Sequence, residues 1–218
     1  MPNSTFYPFL QMLLYRPVGL KELELIYDSG FREFPPRLPE QPIFYPVLNF
    51  DYAVQIARDW NTKSSDFAGY VTKFEVEDSY AQQFKPQIVG GSRHRELWIP
   101  AEDLPNVNAH IIGRITVETA FFGEPYTGFV PDRFGMSGKT ADEQLLALAL
   151  SLEYSGFDLY SEVLANHKAV YLNYLYWKQK DFSPRDLRGI SKQRVLDAIS
   201  KVCAMGEQRY PLPGRAAK

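Results

Sequence analysis

Three short segments of this 218-residue chain hold the residue types that chemistry needs. Leu14-Tyr15-Arg16 ends a strand-like stretch in a guanidinium, whose planar fork of donors suits anions. Phe44-Tyr45-Pro46-Val47-Leu48-Asn49 sets two aromatic rings ahead of a helix. His94-Arg95-Glu96-Leu97-Trp98-Ile99-Pro100 carries an imidazole and a carboxylate into a strand that stops at proline. A fixed carboxylate stabilises positive charge that develops at a reacting carbon. Every one of these residues also has a plain reading. Glu96 can pair with Arg93 or Arg95, and Arg16 can bond loop carbonyls beside Pro17. Phe44 and Tyr45 can be core, and His94 a surface or capping residue. Arg32 and Arg37 read as ion-paired with neighbouring acids.

Other chemistries lack their residues. His94, His110 and His167 share no ligand spacing, and the single cysteine, Cys203, leaves no cysteine-based zinc site and no internal disulfide. No Gly-x-Ser-x-Gly elbow occurs. Gly138-Lys139-Thr140 leads into a helix, but Arg133 stands where a phosphate loop needs glycine, so no metal site or nucleotide loop is expected.

The elements that must position the three segments follow from pattern. A strand covers Met12 to Tyr15, and a helix follows Gly19 with Leu20, Leu23 and Tyr27 on one face, stopped at Gly30. Five prolines between positions 33 and 46 make a stiff extended loop. Phe50 to Asn61 reads as a helix that Asn49 can cap. Strands are expected at 70–76, where Tyr70, Thr72, Phe74 and Val76 share a face, at 96–99 and at 111–117. After a Gly/Pro-rich stretch at 123–138, helices are expected from Thr140 to Tyr154, from Phe157 to Lys180 and from Ile190 to Met205. The fold class is therefore α+β, a small mixed or antiparallel sheet followed by an all-helical subdomain, with domains at 1–135 and 136–218.

The order of the three segments resembles the ADP-ribosyltransferase fold of bacterial toxins and related enzymes, over residues 12–118. That family has an arginine or histidine ending the first strand and an aromatic/hydroxyl segment before a helix. A glutamate then opens a strand of the form Glu-hydrophobic-hydrophobic-Ile-Pro, here Glu96-Leu97-Trp98-Ile99-Pro100. The resemblance implies NAD as substrate and mono-ADP-ribosyl transfer or NAD glycohydrolysis. Glu96 would stabilise the oxocarbenium-like ribose carbon, with His94 beside it. Arg16 would hold the pyrophosphate or adenosine ribose, and Tyr15, Phe44, Tyr45 and Asn49 would complete the NAD pocket. The chain departs from the family where its Ser-Thr-Ser segment falls on Pro46-Val47-Leu48-Asn49, with no hydroxyl except that of Tyr45. His94 stands where the family often has a first carboxylate or amide, which counts against arginine as acceptor and leaves protein, nucleic acid, small molecule or water.

Charge divides the chain in the same place. Residues 1–135 carry a net −5 and residues 136–218 a net +3. The helical part is rich in aromatics, from Tyr154 to Trp177, and has Lys178, Lys180, Arg185, Arg188 and Lys192 nearby. It reads as a three-helix layer against the sheet, or as a surface for a protein partner or nucleic acid. The alternative function is thus a non-catalytic interaction module. Met1 to Thr5 lacks a basic, apolar leader pattern, and the run Leu145 to Leu150 is too short to cross a bilayer, so a cytoplasmic, non-membrane protein is expected.

Overall fold

The computed structural model describes residues 11–91, 93–205 and 210–214; the N-terminal leader pattern lies outside them. The elements run β1 (Gln11–Val18), α1 (Leu20–Asp28), β2 (Ile43–Phe44), α2 (Phe50–Asp59), β3 (Ala68–Glu77), α3 (Asp78–Ala81), β4 (Gln87–Ile88) and β5 (Arg95–Glu96). They continue with β6 (Ile99–Pro100), α4 (Leu104–Ala109), β7 (Ile111–Phe122), α5 (Ala141–Tyr154), α6 (Gly156–Ala165), α7 (His167–Gln179) and α8 (Lys192–Met205). The class is α+β, with antiparallel strands in front and helices behind.

The alternation read at 70–76 makes β3 the centre of an antiparallel β1-β3-β7 sheet. Leu14, Arg16 and Val18 lie opposite Phe74, Thr72 and Tyr70, so these side chains share the face that enters the main core. Thr72, in that row, donates its hydroxyl to the Arg16 carbonyl at 2.7 Å. α2 covers the other face, where Tyr52, Ala53 and Ala57 meet Val47 and Val71. Asn49 caps this helix by accepting the Tyr52 N–H at 3.1 Å.

Several boundaries differ from those expected. β1 runs through Pro17, whose nitrogen faces, like that of Tyr15, the edge away from β3, where the bridge to Val47 has already ended, so the missing N–H costs no partner. The stretch 157–180 is two helices, α6 and α7, separated at Asn166. Asn166 sits at φ −113° and ψ 29°, outside the helical region, and bonds Glu162 instead of continuing the helix. Helices α5 to α8 therefore number four rather than three, and they close a second core around Leu145, Leu148 and Trp177. Capping is as the sequence suggests at Thr140, where Thr140 and Glu143 form a reciprocal capping box.

α7 belongs to both halves. Tyr171, Leu172 and Leu175 fill the sheet core, while Val170, Tyr174 and Trp177 fill the helical one. Buried Asn173, on the same helix, accepts from Tyr126 Oη (3.1 Å) and Phe129 N (2.9 Å). Its amide donates to Phe129 O and Gln144 Oε1, both at 2.9 Å. Every polar position of that amide is used, which fixes the connecting stretch to α5 and α7. No helix among the described residues is long and apolar enough to cross a membrane.

The seat of α2 on β3 depends on Gly69, where an added Cβ would stand 2.0 Å from the Ala57 carbonyl oxygen. Backbone cannot yield there as a side chain would. Gly69→Ala is expected to destabilise the fold by about 3 kcal/mol, measured as a lowered urea midpoint. A midpoint equal to wild type would show that α2 does not depend on this contact.

Candidate functional site

A single extended strip, residues 45–48, joins the sheet to the glutamate segment. Tyr15 N donates to Val47 O (2.9 Å), and Val47 N donates to Tyr15 O (2.8 Å). On the strip's other edge Leu97 N donates to Pro46 O (2.8 Å) and Leu48 N to Arg95 O (3.0 Å). Tyr15, Val47 and Glu96 are thus lined up across three backbones, and β4 pairs outside β5. β2 pairs separately with β6, so the contact between β1 and the strip is one bridge long. Beyond it the two chains part.

Alternation then assigns each side chain a face. Tyr15, Tyr45, Val47, Glu96 and Trp98 fall on the α2 side. Arg16, Phe44 and Leu97 fall on the side of the main core. Glu96 is 8% exposed, and its carboxylate is held on two sides. Trp98 Nε1 donates to Oε1 at 2.7 Å, and Tyr52 Oη reaches Oε2 at 3.5 Å, the outer limit of a hydrogen bond. The Tyr45 ring stands edge-on to Trp98 with centroids 6.0 Å apart, and both rings are partly exposed. His94 stacks on Tyr52 at 4.3 Å and places Nδ1 3.2 Å from the Val89 carbonyl. The carboxylate therefore lies in an aromatic frame of Tyr52, Trp98, Tyr45 and, through Tyr52, His94.

Arg16 occupies the place where the sheet parts. Its Nε and Nη2 grip Glu22 of α1 at 2.7 and 3.3 Å, and its Nη1 donates to the Tyr45 carbonyl at 3.3 Å. The guanidinium also lies over the Phe44 ring, 4.6 Å from its centroid. Arg16 thus touches the backbone of the aromatic strip, while its side chain and that of Glu96 lie on opposite faces. Phe44 is fully buried against Phe34 and Phe74, so it supports Arg16 from within the core and offers no open ring. Tyr15 packs edge-on against Phe50, and Asn49 is engaged as the helix cap. Of the aromatic residues expected to meet a ligand, Tyr45 is the accessible one.

Three residues of this cluster, Trp98, Tyr52 and Glu22, were not singled out by sequence, whereas Arg37, read as ion-paired with a neighbouring acid, stands 3.6 Å from Glu22. Trp98 carries the one available signal, since residues 96 and 98 of an extended segment share a face. Tyr52 and Glu22 reach the cluster through tertiary packing. Clefts open elsewhere among the described residues. One of about 740 Å³ is lined by Arg32, Phe34, Leu104, Asn108 and Arg114, and one of about 410 Å³ by Phe31, Thr116 and Tyr210. Neither is lined by Arg16, Tyr45 or Glu96. No group of side chains suited to hold a metal ion occurs among the described residues. Compared with known protein families, curated proteins and solved structures, the chain matches none.

Burial, then the charge of Glu96, pushes the Tyr52 phenol above its ordinary range. The raised pKa favours the neutral phenol in the folded state. Its contribution to stability is therefore complete below about pH 10, the unfolded value, and is lost as pH rises through the folded one. Denaturant midpoints between about pH 8 and 11 are expected to fall less steeply for Tyr52→Phe than for wild type. Identical slopes would mean that Tyr52 does not feel the carboxylate.

Proposed function

We propose that this chain cleaves the nicotinamide–ribose bond of NAD and transfers ADP-ribose to an acceptor or to water. The observation that carries the reading is the carboxylate of Glu96, buried yet framed by partly exposed Tyr45 and Trp98. The C–N bond breaks with its electron pair leaving on nicotinamide, and positive charge develops on the ribose carbon. A carboxylate held in place before the reaction stabilises that charge without reorganising. Trp98 supplies the holding through its 2.7 Å bond to one oxygen of Glu96, and Tyr52 Oη lies 3.5 Å from the other. Tyr45, the exposed ring beside Trp98, is placed to cover a flat heterocycle. Arg16, at the seam, would orient the phosphate-bearing part of the same ligand.

His94 would act through Tyr52, on which it is stacked, or by meeting the acceptor at the rim. In either role it is neutral or cationic where the family often places a carboxylate or amide, which favours an acceptor other than arginine. The expected setting is a cytoplasmic, toxin-like transferase.

A second reading rests on a different observation. Tyr154, Phe157 and Phe134 are 87%, 76% and 68% exposed at the corner of α5 and α6. A protein-interaction module would use these rings, because Tyr171, Tyr174 and Trp177 of the same helical part are buried. Saturating NAD separates the two readings: a raised melting temperature is expected for the transferase and none for the module.

Glu96→Gln keeps the shape of the side chain and removes its charge. Nicotinamide release from NAD is expected to fall by about 10²–10³-fold, with circular dichroism unchanged. A folded variant that retains half of the wild-type rate would remove Glu96 from the chemistry.

A further inference from the structure

Two irregular backbone positions each precede an arginine, and both arginines line the cleft of about 740 Å³. Phe31 follows Gly30 at the end of α1 in the left-handed region, at φ 61°, which a bulky side chain rarely adopts. Gly113 has φ 75° inside β7, where residues 113–115 stand opposite residue 74 of β3 alone. Such a bulge re-aims the side chain beside it, here that of Arg114. Ile115 N donates to Phe31 O at 2.8 Å, so the two irregular segments are bonded to each other.

The rest of the cleft is tied as firmly. Ser29 Oγ accepts the N–H of Arg32 at 3.3 Å and that of Glu33 at 3.2 Å. From α4, Asn108 accepts from Phe34 N and donates to Phe34 O, both at 2.9 Å. The cleft is thus built without a ligand, as small-molecule sites usually are, and its volume falls within their range of about 300–1,000 Å³. Arg114 lies with its guanidinium over the Tyr210 ring, 5.0 Å from the centroid. Stacking fixes the plane of the group and leaves its in-plane donors open. Arg32, expected from sequence to pair with a neighbouring acid, has no ion pair and no side-chain hydrogen bond among the described residues, and neither has Arg114. Pro36, Pro105 and Ile111 add apolar surface to the same cleft.

We propose that this cleft binds a small apolar monocarboxylate, with Arg32 and Arg114 on the carboxylate and the apolar body against Pro36, Pro105 and Ile111. Charge decides for a single negative group. Arg32, Arg114 and Glu33 are the ionisable side chains of the lining, which therefore carries a net +1 inside a front part of net −5. A carboxylate matches that charge, and its two oxygens suit a guanidinium fork. A phosphate monoester would set a second negative charge beside Glu33. The cleft shares no lining residue with the Glu96 cluster, so the site stands whether or not the chain cleaves NAD.

The test measures naphthoate binding to the full chain by titration calorimetry. One-to-one binding to wild type is expected. Acetate and naphthylmethanol, each lacking one half of the ligand, are expected to bind at least about tenfold more weakly. Arg32→Gln and Arg114→Gln are each expected to weaken naphthoate about tenfold. Glu33→Gln is expected to tighten it, and Lys201→Gln on α8 to leave it unchanged. No binding at millimolar naphthoate, or wild-type affinity in both arginine variants, would overturn the site. Tighter binding of naphthyl phosphate than of naphthoate would overturn the choice of a monocarboxylate. Should Arg114→Gln not fold, Arg32→Gln decides alone, because that side chain is exposed and holds nothing in the fold. Saturating NAD is expected not to displace naphthoate. Displacement would give the cleft to the dinucleotide and overturn this site together with the placement of NAD at Glu96, whereas loss of turnover in Glu96→Gln leaves naphthoate binding untouched.

Discussion

The candidate site depends on one bridge. Val47 exchanges both of its backbone hydrogen bonds with Tyr15, and the strip that contains it pairs on its other edge with the Glu96 segment. That register fixes the faces: Glu96, Trp98 and Tyr45 toward α2, Arg16 and Phe44 toward the main core. A slip of one residue would exchange them. Because the contact between β1 and the strip is only one bridge long, the backbones part beside it. Arg16 fills the parting with a bond to the Tyr45 carbonyl. The short ladder is thus what gives a sheet edge one side that carries the Arg16–Glu22 pair and another that is aromatic and carboxylate-bearing.

Polar groups buried around this seam are held unequally. Glu96 has a donor at each oxygen, and Thr72 and Asn173 are fully engaged in the sheet and at the connection to the helices. Arg37 is the exception, with an unmatched donor beside a second guanidinium. Buried polar networks rigidify a fold when every member is satisfied, and an unpaired member is costly. α7 steadies the whole, since its two faces serve the two cores and Lys168 reaches Glu24 and Asp28 on α1.

Much of the fold was legible because local rules agreed with it. The period of two at 70–76 gave the central strand, Asn49 and Thr140 gave the starts of two helices, and Gly30, at φ 76°, ended α1. The break at Asn166 was not legible, since Phe157 to Lys180 carries no proline or glycine within it to mark a stop. Two-residue strands such as β4 and β5 lie below any periodicity. In the site, the strand rule already separates Phe44 from Tyr45, because consecutive extended residues point to opposite faces. Only one of them can meet a ligand. The Arg16–Glu22 pair and the approach of Arg37 arise from tertiary packing of α1 and the proline loop, which no local pattern encodes.

The most direct measurement is a crystal structure of the Glu96→Gln protein with NAD bound, since that variant is expected to bind without turning over. The expected result is a nicotinamide ribose within hydrogen-bond reach of residue 96 and a nicotinamide ring against Tyr45 and Trp98. A dinucleotide seated instead in the cleft of Arg32, Asn108 and Arg114, with residue 96 untouched, would contradict it.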